Sequence, residues 1–422
     1  MKTEDYAALV ALDWGEKQHA FARQIGPEAA IETGQLSASP ESLHGWLDAL
    51  GQRCGGRPVA LAIEAGRNAV LYGLLEHPWL EVYQVHPVTS ARFRRAFTPS
   101  GAKDDVPDCR VLLTLLSRHR DRLGRLVLDT APTRELAALV LARRQAVDQR
   151  KDVGNQLRSV LKSYYPQALD LVGEDWCSPL ALDLFERWPE LNELKKARLA
   201  TLRSFYARHN VRQAAVIEAR VQGIATARAL TTDRAVITPA MLRMRTLVEL
   251  IRVLQKHVLA LEARIAAAFA AHPAAEFFRQ LPGAGAAFAP RLLVAFGDDP
   301  SRYPNAASLQ KFSGVAPVRQ KSGQQVWTHW RWGAPVFLRQ SFIEWAGETV
   351  VFSAWAKAFY RRQRRLGKRH HAVLRALAFK WIRILWRCRQ TGEPYDEARY
   401  LAALERRHSP LIDELNLLAA SS

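Results

Sequence analysis

Cysteine is scarce in this chain of 422 residues: only Cys54, Cys109, Cys177 and Cys388 occur, with no CxxC pair and no spacing typical of zinc ligands. That scarcity argues against a disulfide framework and against a zinc finger. Long apolar runs are missing too. None approaches the roughly 20 residues that a membrane-spanning helix needs. The opening MKTEDYAALVALDWGEKQ regains charge too soon for a signal peptide. The expectation is a soluble protein of a reducing cytoplasm with no membrane partner.

Negative charge is also in short supply. Asp and Glu total 41 against 60 Lys and Arg, a formal net charge of +19. Such an imbalance says little about fold but favours polyanions, because binding releases counterions condensed on nucleic acid. The shortage is complete over residues 349–392, which hold no acid. RRQRRLGKRHH in this stretch offers Arg361, Arg362, Arg364, Arg365, Lys368 and Arg369 as candidate nucleic-acid contacts. Trp355, Phe359, Tyr360, Phe379, Trp381 and Trp386 are interleaved with the charges. Stacking on bases is one use for them, but Val373, Leu374, Leu377, Trp381, Ile384 and Leu385 mark a helical apolar face, so a core role is the better expectation. His370 and His371 have no carboxylate or cysteine at ligand spacing and receive no metal.

Against this background AKDDVPDC (102–109) stands out, with Asp104, Asp105 and Asp108 close together. A helix N-terminus favours acids in its first turn, which accounts for one acid better than for three. Pro107 fits such a first turn. Two further acids close apolar runs. YAALVALD ends on Asp13, and RPVALAIEAG carries Glu64 at the end of its strand-like run. HAFARQIG is expected to return antiparallel after the turn at Gly15, PESLHGWLDALGQR reads as a helix, VLYGLLEH as helix-like, and EVYQVHP as a third strand. Strands alternating with helices imply an α/β sheet whose functional edge lies at the carboxyl ends of its strands. Asp13, Glu64, Asp105 and Asp108 can converge there. Unpaired, they would repel; divalent cations would hold them ionised, and magnesium suits ligands that are all oxygen. Asp104 is read as a cap or solvated neighbour.

Beyond residue 134 the pattern becomes helical. Ala146, Val153, Leu157, Val160 and Tyr164 follow a heptad-like rhythm broken at Arg150, and Leu247, Ile251, Leu254, Val258, Leu261, Ile265 and Ala268 keep it without a break. Two such helices around the Arg-rich segment 166–240 suggest an antiparallel coiled-coil arm or a dimerisation element, with plain intramolecular packing as the alternative. A compact third part opens near His272 with LPGAG.

The order of LDWGEKQH, IEAG and AKDDVPD resembles the DEDD transposases of insertion-sequence family 110, RNA-guided recombinases, and LPGAG, GDDPSRYPNAASLQKFSGVAPV and KSG resemble that family's second transposase domain. The likeness covers roughly 5–165 and 275–395. It implies an N-terminal RNase H-like (RuvC-like) domain with Mg2+ at the four acids and a mostly helical C-terminal transposase domain; together with the helical pattern this divides the chain into 1–130, a helical coiled-coil region with an inserted helical segment over 131–272, the transposase domain over 273–400 and a tail over 401–422. It also implies a serine nucleophile at the position of Ser322 in RQKSGQQ. A Ser-Gly pair in a basic loop approaches a phosphate closely, and Arg319 and Lys321 are placed to offset its charge, although a plain turn is the ordinary use of Ser-Gly. Ser313 in KFSG is the second choice. Downstream, VWTHWRWGAPVFLRQ replaces the more Gly- and Lys-rich stretch of many relatives. The implied partners are donor and target DNA, a structured noncoding guide RNA and further copies of the chain as a dimer or tetramer, in a bacterial cytoplasm at the nucleoid. Two readings compete: a RuvC-like nuclease or junction resolvase that hydrolyses DNA with the acids alone, and a noncatalytic nucleic-acid-binding protein.

Overall fold

The computed structural model describes residues 6–64, 66, 70–97 and 105–420, with the backbone alone at 105–107. The chain divides into two compact units, Met1–Leu128 and Asp129–Ser422.

In the first unit the apolar runs form β1 (Ala8–Asp13), β2 (Gln18–Ile25), β3 (Glu32–Ser37), β4 (Val59–Glu64) and β5 (Leu80–Val85), joined by a short β6 (Gly124–Arg125). The sheet order is β3-β2-β1-β4-β5-β6. β1 to β3 form an antiparallel meander, whereas β4 is parallel to both β1 and β5. This is the RNase H-like layout that the resemblance implies. β1 and β4 read as continuous apolar runs because both sheet faces are covered. Helix α1 (Pro40–Arg53) covers one face. Its Ser39 side chain accepts a hydrogen bond from the Ser42 N–H, Pro40 sits in the first turn, and Leu43, Leu47 and Leu50 point inward against Val10, Leu12, Leu61 and Ile63. Among the described residues the other α-helices of the unit are α2 (Val70–Leu74), α3 (Pro87–Phe97) and α4 (Asp105–His119). The opposite sheet face, Leu9, Ala11, Ala60, Ala62 and Val85, packs on Cys109, Leu112, Leu113 and Leu116 of α4. Small alanines on the two central strands let α4 lie close to the sheet.

The second unit is helical apart from one hairpin. Its two longest helices are α5 (Ala131–Tyr164) and, after α6 (Gln167–Val172), α7 (Pro179–Arg187), α8 (Leu191–Lys195), α9 (Leu199–Arg208) and α10 (Ala214–Thr226), the helix α11 (Arg234–Ala270). α5 and α11 pack on each other with opposite directions: Leu136 and Val140 share a core with Ile265 and Phe269, Ala146 meets Val258 and Leu261, and Leu157 and Leu161 share a core with Val248 and Ile251. The short helices α6 to α10 close the core at one end of the pair. The other end packs into a core built from α12 (Ala275–Arg279), α13 (Gly285–Phe296), α14 (Ala306–Phe312), α15 (Val336–Phe352), α16 (Ala354–Arg365) and α17 (His370–Thr391). Leu404 of α18 (Glu397–Arg406) and Leu411 of α19 (Leu411–Ala420) join it, so residues 401–420 are folded structure.

The centre of this core is aromatic. Trp345, Trp355 and Trp381 are fully buried, with Trp381 4.9 Å from Trp345 and 4.7 Å from Trp355 between ring centroids. The core reading of the C-terminal aromatics therefore holds for Trp355, Phe359 and Trp381, while Tyr360, Phe379 and Trp386 pack half-buried at its margin. All four cysteines are free thiols. Among the described residues no helix is long and apolar enough to cross a membrane.

The motif GDDPSRYPN works as a staple within this unit. Asp298 accepts hydrogen bonds from the Thr130 N–H, at the start of α5, and from the Thr133 hydroxyl. Thr133 Oγ1 also lies 2.7 Å from Nε2 of buried His272, and His272 Nδ1 accepts from the Ala274 N–H. The hydroxyl proton goes to Asp298, so the imidazole carries its proton on Nε2 and donates to Thr133. Burial pushes the Asp298 carboxyl up, but the hydrogen bonds from Thr133 and Thr130 outweigh it and hold the group below its ordinary range. A carboxyl lowered in the folded state stabilises above its unfolded pKa and loses that contribution as pH falls through the folded value. Asp298→Asn is expected to cost roughly 1–3 kcal/mol at neutral pH. In urea titrations the gap from wild type should hold down to about pH 4 and close below it; a gap that closes above pH 6 would contradict the assignment.

Candidate active site

Parallel pairing sets the first two acids side by side. The register of β1 on β4 runs from Ala8↔Val59 to Leu12↔Ile63, and one step further the two strands end on Asp13 and Glu64. Alternation puts Asp13 on the face of Leu9 and Ala11, and Glu64 on the face of Ala60 and Ala62, which is the face covered by α4. α4 brings the third acid. Asp108 lies one turn before Leu112, and both line a cavity of about 160 Å³ together with Asp13, Glu64, Ser90, Ala91, Arg94 and Val111. Asp105 opens the backbone of α4, with Pro107 in its first turn; its side chain, and Asp104 altogether, lie outside the described residues.

The turn after Asp13 is tightly specified. A Cβ on Gly15 would stand 2.4 Å from the Gln18 carbonyl oxygen, so only glycine fits. The Gly15 N–H donates to Nδ1 of His19, a buried imidazole whose pKa burial lowers. A histidine kept neutral in this way pins the turn from below.

Two residues of α3 hold the other acids, and the sequence reading missed both. Ser90 Oγ donates to Glu64 at 2.6 Å, and Arg94 donates to both carboxylate oxygens of Asp108 at 2.5 and 2.6 Å. They are four residues apart, one turn of α3 facing the cavity. The signal was available as S-x-x-x-R in TSARFRRAF, but nothing in a single sequence tells that serine and arginine from solvated ones.

Asp13, Glu64 and Asp108 form an all-oxygen donor set of the kind that suits a hard divalent cation. Among the described residues no three His, Cys, Asp or Glu side chains are drawn close enough to hold a metal ion, and the Asp108 oxygens face the Arg94 guanidinium. The donor chemistry fits magnesium, and Asp108 is occupied by Arg94 in this structure.

In the second unit, Ser322 lies at the tip of a hairpin rather than in an open loop. β7 (Val318–Ser322) pairs with β8 (Gln325–His329), from Val318↔His329 to Ser322↔Gln325, leaving Gly323 and Gln324 as the turn. Gly323 has φ 58° and Gln324 has no positive φ, the pattern of a type II′ turn that needs glycine first. Alternating Val326, Trp327 and Thr328 carried a strand signal that the turn reading of KSG overlooked. Ser322, Lys321 and Arg319 are exposed. Ser313, by contrast, is fully buried at the C-terminus of α14, and its hydroxyl donates to the Gln310 carbonyl. That geometry makes Ser313 a structural residue.

The basic run lies at the end of α16 and in the loop after it. Arg361, Arg364, Arg365, Lys368 and Arg369 are exposed and Arg362 is half-buried. Arg365 also forms a 2.5 Å ion pair with Glu414, a nearly buried acid of α19, and thus ties the C-terminal helix to α16.

Comparison with known proteins matches both ends of the chain. A DEDD transposase model, described simply as a transposase, matches residues 10–166, and a model described as the IS116/IS110/IS902 transposase family matches 275–361. The chain belongs to the IS110 family of transposases. Among its relatives are a mini-circle protein of Streptomyces coelicolor assigned as the IS117 transposase, 28% identical over 96% of this chain and 99% of the relative, and the IS110 insertion-element 43.6 kDa protein of the same organism, 25% identical over 96% and 98%. The IS900 42 kDa protein of Mycobacterium paratuberculosis is 29% identical over 36% of this chain and 40% of its own length. As a member of the IS110 family, this chain is a DNA-modifying enzyme with transposase function. The DEDD match spans Asp13, Glu64, Asp105 and Asp108, and the second match spans Ser322.

Proposed function

We propose that this transposase cleaves and rejoins the DNA strands of an insertion sequence through a composite site: Asp13, Glu64, Asp105 and Asp108 of an RNase H-like domain would hold magnesium, and Ser322 would serve as the nucleophile. The observation that carries the reading is the cavity in which Asp13, Glu64 and Asp108 meet at the carboxyl ends of β1 and β4. The exposure of Ser322 at a basic hairpin tip supports its part.

Magnesium, when bound, would supply positive charge to the phosphate oxygens and the leaving oxygen. Ser322 Oγ would form a bond to phosphorus as the DNA P–O bond breaks; the serine loses its proton and the departing deoxyribose oxygen gains one. A hydroxyl of the other strand would then attack the phosphoserine, rejoin DNA and restore the serine, so bond energy is kept and no ATP is needed. Arg319 and Lys321 would offset phosphate charge beside the serine. The basic run from Arg361 to Arg369 would hold nucleic-acid backbone. Sequence choice is assigned to pairing with a structured noncoding guide RNA from the element, as in other guided systems. Acids and serine in one reaction would come from different copies of the chain, which makes the working form an oligomer.

The decisive experiment is a denaturing-gel assay for covalent protein–DNA adducts with purified protein, flanking RNA, magnesium and labelled donor DNA. An adduct formed by wild type and lost in both Ser322→Ala and Asp105→Ala is the expected result. Cleavage without adduct, unaffected by Ser322→Ala and lost in Asp105→Ala, would instead establish a hydrolytic RuvC-like nuclease.

A further inference from the structure

Some partly buried arginines in the second unit are paired with acids, while others, such as Arg220 over the Tyr206 ring and Arg389 on the backbone carbonyls of Gly297 and Asp298, are not. Around the cavity of about 700 Å³ between α5, α11 and α13, Arg143 pairs with Glu262, while Arg144 and Arg291 both pair with Glu344. One group without an acid is built differently. Trp330, the residue after β8, carries two guanidinium groups on its indole: Arg375 of α17 with Cζ 4.3 Å from the ring centroid, and Arg339 of α15 with Cζ 5.0 Å away. Arg331 follows Trp330 directly. Among the described residues none of these three arginines forms an ion pair or donates a side-chain hydrogen bond, and Arg331 Nε and one terminal nitrogen of Arg339 are buried without a partner.

Two like charges held at one ring repel, and buried N–H donors left unpaired are costly. The indole offsets part of this through its π face, yet a purely structural site would gain more from one carboxylate. From residue 301 to 392 the sequence offers only Glu344 and Glu348. The arrangement is closely packed as well as cationic: the residue after β8 and the helices α15 and α17 each supply one member, and a Cβ on Gly314 would meet Ala334 at 2.6 Å and Arg339 Cδ at 3.7 Å. Planar guanidinium forks fixed on an aromatic ring fit the oxygens of a phosphodiester.

We propose that Trp330, Arg339 and Arg375 form a cradle for a backbone phosphate of DNA at the base of the β7–β8 hairpin. The inference rests on the reading of Ser322 as nucleophile for its choice of DNA. From the hairpin tip to the cradle the ribbon spans roughly 15 Å, which is four to five nucleotide steps along one strand at about 3.4 Å each. The cradle therefore grips the strand a few nucleotides from the phosphate offered to Ser322.

The test is fluorescence anisotropy of the full-length protein with labelled duplex DNA over a salt series, for wild type, Arg339→Gln, Arg375→Gln and the control Arg399→Gln, whose side chain pairs with Glu393 on the surface. Each cradle variant is expected to lower the slope of log K against log salt by about 0.9, independent of DNA sequence, with the control unchanged. Unchanged slopes in the cradle variants, an equal drop in the control, or a drop seen with RNA of the same sequence and not with DNA would each overturn the proposal. If the Gln variants fail to fold, Arg339→Lys and Arg375→Lys decide: weaker binding at fixed salt with the slope retained supports the cradle, and wild-type binding overturns it. Because this assay reads binding without strand cleavage, failure of the cradle is separable from failure of the adduct assay.

Discussion

Glu64→Gln should slow strand cleavage by more than a hundredfold, because loss of groups that merely orient a metal ligand already costs roughly 10- to 100-fold. Glu64 ends the central strand β4 beside Asp13 and lines the acid cavity, so its charge is spent on the site and little on the fold. Ser90→Ala is the graded companion. It removes the 2.6 Å hydrogen bond that orients the Glu64 carboxylate and should fall in that 10- to 100-fold range. Single-turnover cleavage of labelled donor DNA, with thermal melting to check folding, measures both. Full activity in Glu64→Gln would remove the carboxylates from the mechanism.

Trp381→Ala should be the most destabilising single change in the C-terminal core, by roughly 3–5 kcal/mol. Trp381 is fully buried among Trp345, Trp355 and Tyr395, and its indole N–H donates to the Thr349 hydroxyl at 2.9 Å. Alanine would leave a cavity and remove one of the two hydrogen bonds of the Thr349 hydroxyl, which keeps its bond to the Ala346 carbonyl. Trp386→Ala makes the comparison, since that ring is half-buried and its N–H reaches the Tyr303 carbonyl. Urea midpoints should fall much further for Trp381→Ala; equal shifts would mean that the core is not centred on Trp381.

The α/β layout of the first unit was legible because its central strands are buried on both faces and therefore spell themselves out as apolar runs, ALVALD and VALAIE. β3, ETGQLS, escaped because only Leu36 in it is buried. The position of two acids at strand ends was readable as well, since the end of an apolar run is the end of a strand. Their neighbours were not. Ser90 and Arg94 belong to a helix with little apolar pattern, and only the fold brings them to Glu64 and Asp108. In the second unit, PGAG was readable as a turn that opens a helix, α13, but the tertiary partners of the motifs were not: the Pro282 carbonyl receives the Trp345 indole N–H, and Asp298 of GDDPSRYPN fastens a helix that begins far earlier in the chain. Long-range partners of this kind leave no local signature.

The helix pair α5 and α11 has a further property. Large residues wedge it at both ends, Leu136, Val140, Ile265 and Phe269 at one and Leu157, Leu161, Val248 and Ile251 at the other, while its middle is closed by Ala146, Val258 and Leu261. An isolated helix frays at its tips and is firmest at its centre. Here both tips are clamped inside cores, so the pair is fastened where an isolated helix would be loosest and serves as a strut between those two cores.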